Sequence, residues 1–206
     1  KKSKRSDVDP FIVMDVMEAA RIAEENGKHI IHMEVGQPGT PAPKIARDFI
    51  TNEINKNNLG YTVSLGLPDL RKKISNLYGE WYNIEVNPKR VVVTTGSSGA
   101  FILSFSALFD SGDRVGIGSP SYPSYRQILK SLSLETVDIQ TKLENRFQPI
   151  PEDIKSNNLN GILVASPANP TGSMLDKNSL ENLINTAKEN NVSFISDEIY
   201  HGIQYE

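Results

Sequence analysis

Val192-Ser193-Phe194-Ile195-Ser196-Asp197-Glu198-Ile199-Tyr200-His201-Gly202 is an apolar, β-prone run that leads into a carboxylate and, three residues on, a phenol. In an open α/β sheet, ligands sit outside the carboxyl ends of the strands, so side chains placed there face a site rather than the core. An aspartate after a strand also serves as a turn former or helix cap. The neighbouring segments decide between these roles.

From residue 90 onward, short apolar runs alternate with helical stretches. Residues 91–94, 114–117, 134–139, 161–165 and 192–195 read as strands. Helices are predicted to begin near Gly99, Pro123, Pro151 and Ser179, the last with Leu180, Leu183, Ile184 and Ala187 on one face. This spacing predicts βαβ units in a three-layer α/β/α fold, with a mostly parallel sheet covered on both sides.

Upstream of residue 90 the pattern differs. Asp9-Pro10 reads as an N-cap and first helical position, followed by an Ile12, Val16, Ala20, Ala23 stripe and a stop at Gly27. A short strand is predicted over 30–35. Gly36-Gln37-Pro38-Gly39-Thr40-Pro41-Ala42-Pro43, with two glycines and three prolines, reads as an irregular loop and a border between structural units. A helix with Ile45, Phe49 and Ile54 inward follows. After an exposed loop around Tyr61, a further helix opens at Pro68 and carries Leu70, Ile74, Leu77 and Trp81.

Composition narrows the function. The 206 residues are 38% hydrophobic, enough for one sizeable core. Twenty-two lysines and arginines against 25 acidic residues give a formal charge of −3, no electrostatic case for nucleic acid. The basic start Lys1-Lys2-Ser3-Lys4-Arg5 reads as a solvated terminus. The absence of cysteine excludes disulfides, thiolate ligands and a cysteine nucleophile. No apolar run reaches membrane-spanning length and no secretory segment is recognised, so a cytoplasmic location is expected. His29, His32 and His201 lack helical metal-site spacing, and no metal is expected.

The strand ends carry the chemistry. Thr95-Gly96-Ser97-Ser98-Gly99 feeds a helix whose N–H groups, dipole and hydroxyls suit a phosphate, or form a simple capped turn. It matches neither the Walker A nor the G-x-G-x-x-G pattern. Tyr122, between Pro120 and Pro123, is either a rigid plate for a flat ring or a core tyrosine. Asn169 precedes a proline in an elaborate loop, Ser166-Pro167-Ala168-Asn169-Pro170-Thr171-Gly172-Ser173. Asp197 and Tyr200 complete the set. A phosphorylated pyridine with a ring nitrogen and a ring oxygen uses all five: helix N-terminus, aromatic plate, amide, carboxylate and phenol.

The ordered motifs G-S-S-G-A, P-S-Y, A-N-P-T-G and S-D-E-I-Y, with the upstream G-Q-P and G-Y-T-x-x-x-G-x-x-x-L-R, resemble the class I/II aminotransferases of the pyridoxal-phosphate fold type I superfamily. The resemblance spans almost the whole chain. It implies that Gly96, Ser97 and Ser98 bind the phosphate of pyridoxal 5′-phosphate, that Tyr122 stacks on the pyridine, that Asn169 and Tyr200 bond the ring oxygen, and that Asp197 pairs with the ring nitrogen. It implies Asp197 and Tyr200 as catalytic residues, Gly36 and Asn169 near the substrate carboxylate, and Tyr61 reaching the phosphate of the partner subunit of a homodimer. Cis bonds before Pro120 and Pro170 are expected. Residues 1–36 would belong to a smaller domain and 37–206 to the cofactor-binding domain.

The same resemblance calls for a lysine that bonds covalently to the cofactor, some tens of residues after Tyr200 in a Ser-x-Ser-Lys context. The sequence ends six residues after Tyr200, and none of its lysines has that context. It therefore reads as the N-terminal half of an enzyme moving an amino group from an L-amino acid to a 2-oxo acid, inactive alone. Two alternatives remain open: a β-lyase on the same scaffold, and a non-catalytic aminotransferase-like sensor domain.

Overall fold

In the computed structural model, which describes residues 1–203, the periodic segments fold as helices α1 (Ile12–Glu25), α2 (Lys44–Ile54), α3 (Pro68–Tyr82), α4 (Gly96–Leu108), α5 (Pro123–Ser131), α6 (Pro151–Ser156) and α7 (Lys177–Glu189). Four short runs form strands β1 (Arg114–Ser119), β2 (Glu135–Gln140), β3 (Gly161–Ala165) and β4 (Ser193–Asp197). Proline opens α3, α5 and α6 at a position where its missing N–H is no loss. Asp176 caps α7 by accepting from the Ser179 N–H at 2.9 Å. The chain divides into two compact units, residues 12–94, and residues 1–11 together with those from Thr95 onward.

The second unit holds the sheet. All its strand pairs are parallel, in the order β2-β1-β3-β4, and both faces are covered. Phe101 and Phe105 of α4 and Tyr125 and Leu129 of α5 pack with Val115, Ile117 and Leu163 on one face. Ile154 of α6 and Leu183 and Ala187 of α7 pack with Ile139, Ile162 and Val164 on the other. β3 shows the pleat directly: Leu163 faces one core, its neighbours Ile162 and Val164 the other. At Gly161 a β-carbon would lie 2.2 Å from the Phe109 ring, so β3 begins where a side chain has no room.

Several expectations are corrected. Asp9 and Pro10 do not start α1. Their carbonyls accept from the Gln127 amide at 3.1 and 3.3 Å, which draws this segment along α5. Residues 30–35 form no ladder, because the Met33 N–H is taken locally by the Glu34 carboxylate at 2.9 Å. Residues 91–94 run extended but are not a sheet strand. The Val91 carbonyl accepts from the Arg71 guanidinium at 2.8 Å, and the Val93 N–H goes to the Leu65 carbonyl. Ile45, Phe49 and Ile54 of α2, expected inward, are exposed: the α2 stripe finds no cover among the described residues. Helix α4 starts at Gly96, three residues before the expected Gly99, which places Gly96, Ser97 and Ser98 in its first turn.

Candidate cofactor site

Strand order locates the site. The chain leaves β1 through α5 to reach β2 on one side, then returns through α6 to β3 on the other, so the order reverses between β1 and β3. Loops leaving adjacent strands at such a reversal diverge and open a crevice at the carboxyl edge. Tyr122 follows β1 and Asn169 follows β3, one on each side of that reversal.

Asp197, the last residue of β4, is fixed by both its oxygens. Oδ1 accepts from the Ile199 N–H at 3.0 Å, and Oδ2 accepts from the hydroxyl of Tyr125. The register of β4 against β3, with Ala165 opposite Asp197, sets the carboxylate's height on the edge. Tyr125 is 2% exposed. Burial, then the hydrogen bond to Asp197 and the charge of that carboxylate, push its phenol far above the ordinary tyrosine value, so it stays a donor. Tyr122 meets Tyr125 edge to face with ring centroids 5.4 Å apart, and Phe11 meets the Tyr122 ring in the same way at 5.9 Å. Tyr200 follows in the turn after β4, partly buried, and adds to the electrostatic environment of Tyr125. The structure thus gathers Tyr122, Asp197 and Tyr200 around a residue that sequence reasoning passed over. Its signal was available: Tyr125 lies three positions after Tyr122, one turn into a helix opened by Pro123.

Asn169 sits in a loop closed on itself. The Ala168 N–H donates to the Ser173 carbonyl at 3.0 Å, and the Gly172 N–H to the Ala168 carbonyl at 2.7 Å. The peptide bonds before Pro120 and Pro170 are cis as expected, and the bond before Pro167 is cis as well. Among the described residues the Asn169 carboxamide makes no hydrogen bond. It lines a cavity of about 20 Å³ with Tyr125, Ser121 and Gln148. The buried Ser121 hydroxyl on that wall has no partner among the described residues.

Helix α4 presents its N-terminus at the same edge: Phe101, in its second turn, packs edge to face on Tyr125 at 5.2 Å. Gly96 has φ +79°, a conformation that L side chains rarely adopt. Thr95, at the N-cap, makes no side-chain capping bond, and Ser97 and Ser98 are exposed. First-turn N–H groups with a favourable dipole suit a dianion.

The donor set fits a phosphorylated pyridine. The helix terminus matches the phosphate, Tyr122 the ring face, and Asp197 retains lone pairs for a ring N–H. The lysines of this unit that could approach a strand end or loop do not complete it: Lys142 pairs with Glu144 at 3.6 Å, and Lys130, Lys155, Lys177 and Lys188 are exposed on helices. Gly36 and Tyr61 lie in the 12–94 unit, both exposed. Among the described residues there is no cluster of three metal-ligating side chains, and no helix is long and apolar enough to cross a membrane.

Residues 28–206 match the family described as aminotransferase class I and II. The valine–pyruvate aminotransferase of Mycobacterium tuberculosis is 42% identical over 98% of this chain and 53% of its own length. A crystal structure of an aminotransferase from M. tuberculosis superposes with TM-score 0.95 at 41% identity, over 100% of this chain and 54% of that one. A putative aminotransferase from Silicibacter pomeroyi gives TM-score 0.90 at 59% identity, over 100% and 53%. The chain spans about half the length of the curated relatives it matches, with the parallel α/β architecture of fold type I aminotransferases over that half. The chain belongs to the class I and II aminotransferase family.

Proposed function

We propose that this chain forms the cofactor half-site of a pyridoxal-phosphate-dependent aminotransferase that transfers an amino group from an L-amino acid to a 2-oxo acid. The observation that carries the reading is Asp197 at the carboxyl end of β4, bonded to the buried phenol of Tyr125, which also meets Tyr122 and Phe101 of α4 and lines a cavity with Asn169. The family is pyridoxal-phosphate-dependent. When bound, that group supplies an electron sink for the α-carbon of an amino acid.

Each residue then has a task. Gly96, Ser97 and Ser98 hold the phosphate, and Tyr122 fixes the ring plane. Asn169 and Tyr200 hydrogen-bond the ring oxygen, and Gly36 lies by the substrate carboxylate. The Asp197 carboxylate holds a proton on the ring nitrogen, since a negative charge beside it favours the charged form. The full exposure of Tyr61 supports a role toward the phosphate of a partner subunit in a homodimer.

Two experiments test this. Titrating pyridoxal 5′-phosphate into the 206-residue chain should give saturable binding that Asp197→Ala weakens; no binding would sink the cofactor assignment. In the full-length protein, an L-amino acid and a 2-oxo acid should exchange an amino group. Release of ammonia from a cysteine conjugate would instead mark a β-lyase, and binding without turnover a sensor. The 206-residue chain alone should not transaminate, as none of its lysines has the Ser-x-Ser-Lys context that the resemblance calls for.

A further inference from the structure

We propose that Gln148 is a positioning residue for Asn169: it staples together the two ends of the 165–173 loop and so sets where the Asn169 carboxamide stands. The inference rests on the reading of Asn169 as the ring-oxygen ligand.

Gln148 is 3% exposed, and its amide nitrogen reaches across the loop. Nε2 donates to the Ala165 carbonyl at 3.1 Å and to the Ser173 carbonyl at 3.1 Å, with the Ser173 hydroxyl at 3.3 Å. Ala165 is the last residue of β3, and Ser173 closes the loop by accepting from the Ala168 N–H. One amide with two hydrogens therefore joins entry to exit, and Asn169 lies between them. Gln148 itself is delivered by a constrained turn. Arg146 and Phe147 both have positive φ, 55° and 54°, and the Phe147 N–H donates to the Lys142 carbonyl at 2.8 Å. Non-glycine residues adopt that conformation uncommonly.

Much of the remaining surroundings is apolar. Phe147, Pro149, Leu163 and Val164 line the small cavity that Gln148 shares with Asn169. A buried amide in such company is retained for what it bonds, because packing alone is served by an apolar side chain of the same length. Without the Gln148 amide the Ala165 carbonyl would lose this donor, and the Ser173 carbonyl would keep the Ala168 N–H alone. Rigid seating of a ligand group by a neighbour of fixed rotamer is a general requirement of an ordered site.

The test uses Gln148→Met, which keeps length and apolar bulk and removes the donor. Amide hydrogen exchange of the 206-residue chain should accelerate by about tenfold at Ala168 and Gly172 and stay unchanged in β1 and β4. Unchanged loop exchange would overturn the proposal. Should the variant not fold, the wild-type chain decides: the Gln148 side-chain amide protons should exchange slowly and show through-space contacts to Ala165 and Ser173, and solvent-rate exchange would overturn it. The ligand arm compares pyridoxal 5′-phosphate with its analogue lacking the ring hydroxyl. Gln148→Met should shrink the affinity ratio between the two toward that of Asn169→Ala. An undiminished ratio with a loosened loop would refute the link to Asn169. Absence of any binding to the wild-type chain would fail the cofactor reading instead, and the exchange data would still judge the staple.

Discussion

The hydroxyl of Tyr125 donates to Oδ2 of Asp197, across 72 residues of sequence and from the helix layer packed on the sheet. A helix side chain on one face of the sheet thereby reaches the end of the last strand and fixes its carboxylate. Tyr125→Phe removes this donor without opening a cavity. Unfolding in denaturant should show a loss of about 1.5–3 kcal/mol, the range for a hydrogen bond to a charged group. No loss would mean the bond is unformed in solution.

The same phenol makes a statement about alkali. Its pKa is raised in the fold, so its contribution is complete below the ordinary tyrosine value of 10.0 and is lost as pH rises above it. In an ultraviolet titration Tyr125 should remain protonated until the chain unfolds, and Tyr125→Phe should flatten the alkaline decline in stability. A full set of tyrosines titrating near 10 in the folded chain would contradict it.

Asp197→Asn keeps shape and abolishes the charge. In the full-length protein the rate of amino transfer should fall by about 10²–10³-fold, the scale of loss when one preorganised electrostatic group such as an oxyanion-hole donor is removed. Rates within threefold of wild type would remove Asp197 from the catalytic role.

His32 is wedged between two carboxylates, with Nδ1 2.6 Å from Glu34 and Nε2 3.0 Å from Glu24. Hydrogen bonding to Glu34, then to Glu24, raises its pKa from 6.5 to about 8. The raised value fixes the sign: the stabilisation is complete below 6.5 and is lost as pH climbs through 8. A proton resonance titration should place the His32 midpoint near 8, and Glu34→Gln should bring it down. A midpoint of 6.5 in the parent chain would refute the pairing.

Gly161→Ala should destabilise the sheet, since the new β-carbon meets Phe109 at 2.2 Å and the ring must move. Overpacking of this kind costs about 1–3 kcal/mol. Phe109→Leu in the same chain should restore part of the loss, which a double-mutant cycle in denaturant would read.

The parallel sheet and its strand-end residues were legible in the sequence because both are local signals. The run into Asp197 and the proline-flanked Tyr122 announce themselves by residue type and spacing. Residues 30–35 and 91–94 misled because an apolar run states a preference for extension and not the presence of a partner; Arg71 and Glu34 satisfied those backbones instead. The α2 stripe shows the same ambiguity, as an apolar face specifies a need for cover without naming what supplies it. Gln148 was illegible for the converse reason. A glutamine between Phe147 and Pro149 looks like loop polarity until Ala165 and Ser173 are brought to it by the fold.

β3 serves both cores by turns, Leu163 to one side and Ile162 and Val164 to the other. Deleting a single residue inside it would exchange the two interiors and slide Ala165 away from its place opposite Asp197. Those five residues are thus a measuring stick whose length is not negotiable. The loop hung from its end, which carries Asn169, takes its reading height from that stick.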